Sequence, residues 1–257
     1  MKVKQSLFII LLFLIPKQDL FSQAYYQIGV YAGPVAFFSD YGVRGDFETN
    51  IGNVGIGIGG SHYFDFSYGR NKYFNKHFMV RNDLFFHRTE FQHYGKWVKP
   101  EKTSVFADQL RAMKGSTMAV ELGSHLEFYP KDILAFSRGS NKLMPFFTLG
   151  FNGSLFFPKV SSDLGPLNTT ESTPTKYRGA FKNDSGFTLA FVGGFGLRYK
   201  VNSMGDFIIN SRWSWYFSDW VDGLNPDIKQ NKEIEVPENK FNDWLYWLSV
   251  GYIFYLE

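Results

Sequence analysis

The stretch NDWLYWLSVGYIFYLE, residues 242–257, places a bulky apolar side chain at every second position from Trp244 to Leu256. A repeat of two residues predicts a β-strand, because successive side chains of a strand point to opposite faces. The strand is long enough to cross a tilted bilayer, for which about 9–11 residues suffice. An open sheet edge cannot be left in lipid, so this strand predicts a closed transmembrane barrel.

The same stretch carries a candidate assembly signal. Its order is polar-x-Gly-x-x-apolar-x-apolar, which resembles the C-terminal signal read by the outer-membrane barrel assembly machinery. The residues concerned are Ser249, Gly251, Phe254 and Leu256. The pattern predicts that this machinery and outer-membrane lipid are partners of the chain, and that the chain resides in the cell outer membrane.

The composition of the 257 residues agrees with a barrel. Aromatic residues make up 19%, and barrels use them in lipid-facing bands and interfacial girdles. Mean hydropathy is only −0.20, as expected when lipid-facing and lumen-facing residues alternate. Cysteine is absent and the five histidines are scattered, so the sequence predicts no disulfide, no metal site and no cofactor.

The N-terminus has the features of a signal peptide. Two lysines precede an unbroken apolar run over residues 7–15, which Pro16 ends. The run is too short for a spanning helix, which needs about 20 residues. We therefore expect residues 1–23 to be a signal peptide and residues 24–257 to be the barrel. Removing the signal peptide takes away three lysines and one aspartate, and the formal net charge falls from +3 to +1. Because the remaining chain is nearly neutral, no nucleic-acid partner is predicted.

Alternation recurs along the whole chain and predicts an all-β, eight-stranded antiparallel transmembrane barrel of the outer-membrane type. A soluble β-sandwich would also alternate, but it would not need apolar residues on one face of every strand. Pro34 lies inside the first strand, where we expect a bulge or a local break because proline cannot donate to the ladder. The predicted strands cover about 25–38, 53–68, 77–94, 116–129, 145–157, 186–200, 206–217 and 242–257.

An even number of strands places both ends of the barrel chain on one side of the membrane, which we expect to be the periplasm. The connections after odd-numbered strands are then extracellular and those after even-numbered strands periplasmic. The first set is longer, as in outer-membrane barrels. The expected extracellular segments are 39–52, 95–115, 158–185 and 218–241, and the expected periplasmic segments are 69–76, 130–144 and 201–205.

Charged and polar residues fall on the inward face of several predicted strands. An eight-stranded barrel is just wide enough for side chains to fill, so we interpret this set as a lumen packed with ion pairs. The alternative is a catalytic carboxylate or histidine, as in barrels that hydrolyse or transfer acyl chains of lipids. Such chemistry needs His and Ser at i and i+2 on one strand, and neither His87 nor His125 has that partner. The predicted lumen network is Arg81, Asp83, Glu121, His125, Glu127, Arg198 and Arg212.

The segment after the seventh predicted strand is acidic, with Asp219, Asp222, Asn225 and Asp227. Oxygen ligands of this kind suit Ca²⁺, but no EF-hand spacing is present. The interpretation we favour is a solvated loop in which Asp and Asn serve as turn residues.

Four short stretches of the chain carry a family resemblance: Phe157-Pro158-Lys159, Pro166-Leu167, Thr170-Glu171 and the run Ser218-Asp219-Trp220-Val221-Asp222-Gly223. With them, the chain from about Tyr26 to Leu256 resembles the small PorG-like outer-membrane barrels of the type IX secretion and gliding machinery. One difference is that the PorG pattern after the seventh strand reads more like Asp-Tyr-Leu-Asp-Asp.

The resemblance implies a non-enzymatic component that anchors a periplasmic assembly, with periplasmic secretion-system components as partners. Its working surface would then be periplasmic. Ile133, Leu134 and Phe136, rimmed by basic residues, form a candidate partner patch, which could be a short helix. The alternative is that Phe136 plugs the periplasmic mouth. Other functions left open are a lipid-modifying enzyme or an unrelated barrel, and a filled lumen disfavours a passive pore.

Overall fold

The computed structural model describes residues 25–67, 72–226 and 241–256. Within them, eight antiparallel strands form a closed barrel in which each strand pairs with the next and the last pairs with the first. The predicted signal peptide, residues 1–23, lies outside the described residues. The strands are β1 Tyr25–Phe38, β2 Val54–Asp65, β3 Phe78–Gln92, β4 Met113–Phe128, β5 Leu143–Ser162, β6 Gly186–Asn202, β7 Gly205–Tyr216 and β8 Trp244–Leu256.

The alternation read from the sequence is the inside–outside alternation of this barrel. Outward side chains such as Ile56, Leu149 and Val250 are 60–62% exposed, whereas their sequence neighbours are buried or half-buried. A closed antiparallel barrel with an apolar outer wall has every backbone group paired within the ladder, which is what lipid requires. The prediction of an eight-stranded outer-membrane barrel is therefore confirmed, and the cell outer membrane is its location.

The seam between β1 and β8 closes the barrel with close backbone approach at two glycines. A Cβ on Gly33 would lie 2.0 Å from the carbonyl oxygen of Leu248, and one on Gly251 would lie 2.2 Å from that of Val30. Pairing to β8 skips Gly33 and Pro34 but resumes in the same register at Val35. The structure thus has the local break expected at proline, without a bulge.

Short helices lie in the connections: α1 Phe47–Gly52, α2 Tyr73–His77, α3 Val105–Ala112 and α4 Ile133–Ser137, with a 3-10 turn at Thr175–Tyr177. We call the end of the barrel with residues 39–53, 93–112, 163–185, 217–226 and 241–243 the long-loop end. The opposite end, with residues 66–67, 72–77, 129–142 and 203–204, is the short-turn end. None of the helices in the described parts of the chain is long and apolar enough to span a membrane.

Candidate functional site

The lumen holds all seven polar residues of the predicted network, and each is at most 5% exposed. They come from β3, β4, β6 and β7, whose inward faces converge on the barrel axis. Buried charges of this kind must be paired, because leaving water costs several kcal/mol per ion. The seven residues fall into two groups that meet at Tyr129.

The central group is built around Asp83. The Arg81 guanidinium contacts this carboxylate at 2.9 Å and also donates to Glu127 at 2.5 Å. Arg212 donates to Asp83 from the opposite wall at 3.0 Å. Arg81 thus joins β3 to the adjacent β4, whereas Arg212 bridges β7 and β3, which are not neighbours, and cross-links the barrel through its interior.

Glu121 is the acceptor for the remaining hydrogen bonds of this central group. Its carboxylate accepts a hydrogen bond from Asn152 at 2.6 Å and another from the Tyr216 hydroxyl. His125 contacts the Asn152 side-chain oxygen at 2.9 Å, so it belongs to the same network. His87 lies 3.4 Å from Glu121, a contact that the predicted set did not include.

The second group lies nearer the short-turn end and centres on Arg198. This guanidinium donates to Asp206 at 2.6 Å, to Gln27 at 2.6 Å and to the Tyr129 hydroxyl at 3.1 Å. Tyr129 in turn donates to Glu127, which joins the two groups. Asp206 was missed in the sequence, although it shares the parity of Arg212 and so belongs to the inward face.

Aromatic rings complete the filling of the lumen. Phe85 and Trp247 stack at 4.1 Å between ring centroids, and the Arg212 guanidinium lies 4.6 Å from the Phe85 ring. The space bounded by Tyr31, Arg81 and their neighbours has a volume of ≈ 0 Å³. Side chains of the described residues therefore occupy this part of the lumen.

The candidate partner patch at the short-turn end is buried for the most part, so its prediction is wrong for two of the three residues. Ile133 is 1% and Phe136 2% exposed, and Leu134 is half-buried. Phe136 turns inward, where its ring lies 5.8 Å from the Arg198 guanidinium. Helix α4 thus covers the mouth of the barrel because its apolar face completes the core, as the alternative interpretation proposed.

The long-loop end carries a cluster of aspartates that was not predicted from the sequence. Carboxylate oxygens of Asp40, Asp219 and Asp243 lie within 4.8 Å of one another. The Arg44 guanidinium lies 3.7–3.8 Å from all three and supplies positive charge among them. Burial and the neighbouring carboxylates raise the pKa of Asp40 and Asp243 well above the usual value.

Asp222 belongs to the same cluster and is fully buried, so the solvated-loop interpretation is wrong at this residue. It accepts hydrogen bonds from the backbone nitrogens of Asp40 and Leu224, both at 2.7 Å. Burial raises the pKa of Asp222 to about 7. Asn225 donates from its backbone nitrogen to Ala180, and Asp227 lies outside the described residues.

A row of polar side chains runs across three neighbouring strands on the outer wall, and it was not predicted from the sequence. The register pairs His62 of β2 with Asn82 of β3, and Asn82 with Ser124 of β4. All three side chains point outward, and apolar rows lie on either side of them. The His62 ring stacks on Tyr26 at 5.3 Å, and no hydrogen bond within the described residues joins the three polar side chains.

The residues of the predicted assembly signal occupy both faces of β8. Ser249 is buried in the lumen, and Gly251 lies at the seam. Phe254 and Leu256 face outward and are 48% and 42% exposed. Recognition of these residues by the assembly machinery stays a prediction.

No family model matches this chain, and no curated protein matches it. Several solved structures are similar to it. A major outer membrane protein from Thermus thermophilus is 12% identical, covers 91% of this chain and 99% of its own, and gives a TM-score of 0.48. For the attachment invasion locus protein Ail of Yersinia pestis the identity is 14%, the coverage 90% and 99%, and the TM-score 0.41. For the outer membrane enzyme PagL these values are 10%, 89% and 98%, and 0.38.

Proposed function

We propose that this protein is a non-enzymatic outer-membrane barrel that anchors a periplasmic assembly of a type IX secretion-like machinery, as the PorG-like resemblance implies. The observation that carries the proposal is the lumen. Two linked groups of buried ion pairs fill it, and no catalytic pair of Ser and His lies among the described residues there. A barrel with such an interior is suited to holding other proteins at the membrane rather than to transport.

In this proposal the short-turn end faces the periplasm and holds the partner. Because Ile133 and Phe136 are buried, the surface around α4 offers exposed basic side chains in place of the predicted apolar patch. Lys131, Arg138 and Lys142 surround α4. The partner that suits this surface has an acidic face, since surface charge steers encounter and fixes orientation.

Site-specific photo-cross-linking tests the anchor. A benzoylphenylalanine replaces the exposed Ser140, and cells are irradiated before the outer membranes are solubilised. We expect a discrete adduct that contains a periplasmic component of the secretion machinery, identified by mass spectrometry. The double variant Arg138→Glu, Lys142→Glu should lose this adduct.

The matched control reverses two charges at the other end, Lys99→Glu and Lys102→Glu, and should leave the adduct unchanged. Folding of each variant is checked by its heat-modifiable migration on a gel. An adduct that persists in the Arg138→Glu, Lys142→Glu variant, or that is lost in the Lys99→Glu, Lys102→Glu control, would contradict the proposal.

A lipid-modifying enzyme is the competing function, and the outward row of His62, Asn82 and Ser124 is the feature closest to it. The row lacks the contact that a nucleophile and its base need, because the His62 ring packs against Tyr26 and Phe64. The anchor predicts that lipid A from a strain lacking the protein keeps its mass. A species shifted by one acyl chain would favour the enzyme.

A further inference from the structure

A cavity of ≈ 240 Å³ lies at the long-loop end, outside the filled lumen. Its walls come from three connections of the barrel, one of which contains α3. Its lining includes Trp97, Phe106, Leu110 and Tyr177, and the cavity is largely apolar and aromatic. Trp97 and Phe106 are 48% and 57% exposed, which places two large rings at its opening.

Hydrogen bonds hold these walls in place. Ser104 caps α3 by accepting from the Ala107 nitrogen at 3.3 Å. Arg111 donates from α3 to the backbone oxygen of Val98 at 3.1 Å. Gln109 donates to the oxygen of Thr170 at 2.7 Å in the segment between β5 and β6. These hydrogen bonds join α3 to Val98 in its own connection and to Thr170 in the connection between β5 and β6. The cavity is therefore preformed rather than opened by a ligand.

Two polar side chains line the same space, His93 and Lys176. The His93 ring is 7% exposed and lies between Tyr41 and Tyr177, at 5.1 and 5.4 Å between centroids. Its Nε2 atom is buried and makes no hydrogen bond within the described residues. An unpaired buried ring nitrogen costs free energy, and a bound group that pairs with it recovers that cost.

Charge at this site favours an acid. Burial, with the nearby Lys176 ammonium, lowers the pKa of His93 to about 3, so the ring is neutral at physiological pH. A neutral imidazole can donate from Nε2 to an anionic oxygen. Lys176 lines the same cavity, and its ammonium lies over the Tyr177 ring at 5.2 Å.

We propose that this cavity binds a small aromatic carboxylate, whose ring packs among Trp97, Phe106 and Leu110 and whose carboxylate accepts from His93 and pairs with Lys176. The aromatic walls suit a flat ring, since offset and edge contacts between rings add to area burial. The site is separate from the surface proposed for anchoring, because it lies at the opposite end of the barrel.

The test uses 6-fluoro-2-naphthoate as the probe and the full mature chain in lipid nanodiscs, with ¹⁹F NMR line width as the readout. Empty nanodiscs correct for partition into lipid. We expect saturable binding to the wild type and about tenfold weaker binding to His93→Phe, which removes one hydrogen bond to a charged group. Leu110→Trp fills the cavity and should abolish binding.

Two controls make the result specific. Val105→Ser changes an exposed residue of α3 that does not line the cavity and should leave affinity within about twofold. The methyl ester of the probe, which lacks the charge, should bind at least about tenfold more weakly. Equal binding to Leu110→Trp and wild type would overturn the site. Equal binding of acid and ester, with folded His93→Phe unaffected, would overturn the assignment of a carboxylate.

Discussion

At the scale of single residues, neighbouring positions on a strand face different environments, the outer wall and the lumen. Leu122 is 52% exposed on the outer wall, whereas Glu121 is fully buried in the lumen. Leu122→Arg should lower the free energy of unfolding by about 2–4 kcal/mol if it lies at the bilayer midplane. Glu121→Leu should cost about 1–3 kcal/mol for each buried donor left unpaired, because Asn152 and Tyr216 lose their acceptor while Arg212 keeps Asp83. Urea unfolding in lipid vesicles measures both, with Leu122→Ile as control. A Leu122→Arg barrel as stable as wild type would mean that the two faces are assigned in reverse.

The buried Asp222 gives the long-loop end a pH dependence. Its pKa is raised from 3.8 to about 7, so the native loop holds a proton that the opened loop releases. The stabilisation is complete below pH about 4 and is lost as pH rises through about 7. Hydrogen exchange at residues 218–226, corrected for intrinsic rates, should show less protection at pH 8 than at pH 5. Asp222→Asn should flatten this trend, and protection that increases with pH would refute it.

Asn82 is a polar side chain on a wall that faces hydrocarbon. It sits midway along the outward residues of β3 that run from Phe78 to Phe86. Since it makes no hydrogen bond within the described residues, Asn82→Leu should stabilise the isolated barrel by about 0.5–2 kcal/mol. Equilibrium unfolding measures the change, and Val80→Leu on the same face serves as control. Destabilisation by Asn82→Leu would show that this amide is already paired in the membrane.

At the scale of elements, closure between β1 and β8 depends on two glycines. Gly251→Ala would bring a Cβ to 2.2 Å from the Val30 oxygen, which backbone cannot easily avoid. We expect a loss of the compact, heat-modifiable form on refolding. Gly60→Ala is the matched control, because its Cβ would lie 3.7 Å from the nearest atom. Equal refolding yields for the two variants would show that the seam tolerates a methyl group.

The strands themselves could be predicted because a period of two in polarity is a local property of the sequence. β5 runs to Ser162, beyond the predicted end near 157, since its last residues pair with β4 above the apolar belt. The sequence left the burial of Phe136 as one of two alternatives, because it depends on which way α4 folds over the mouth. The row of His62, Asn82 and Ser124 depends on register between three strands, and no local pattern contains it.

At the scale of the whole molecule, the orientation in the membrane is still a prediction. Both ends of the barrel chain lie at the short-turn end, which we expect to be periplasmic. A single cysteine at the exposed Lys99 should react with an impermeant maleimide on intact cells, and one at the exposed Ser203 should not. Both should react after the membranes are opened. Labelling of the Ser203→Cys variant alone would invert the orientation.

The continuous ladder around the barrel also determines how the molecule responds to mechanical tension. A pull on β8 along the axis is opposed at both of its edges, by β7 and by β1. The bonds of each ladder lie across the strands, so they are strained together in shear rather than opened one after another. The ion pairs that cross the lumen, from Arg212 to Asp83 and to Glu121, resist flattening of the cylinder in the same way. A tether attached at one end would therefore pass its load to the surrounding lipid without stretching the barrel.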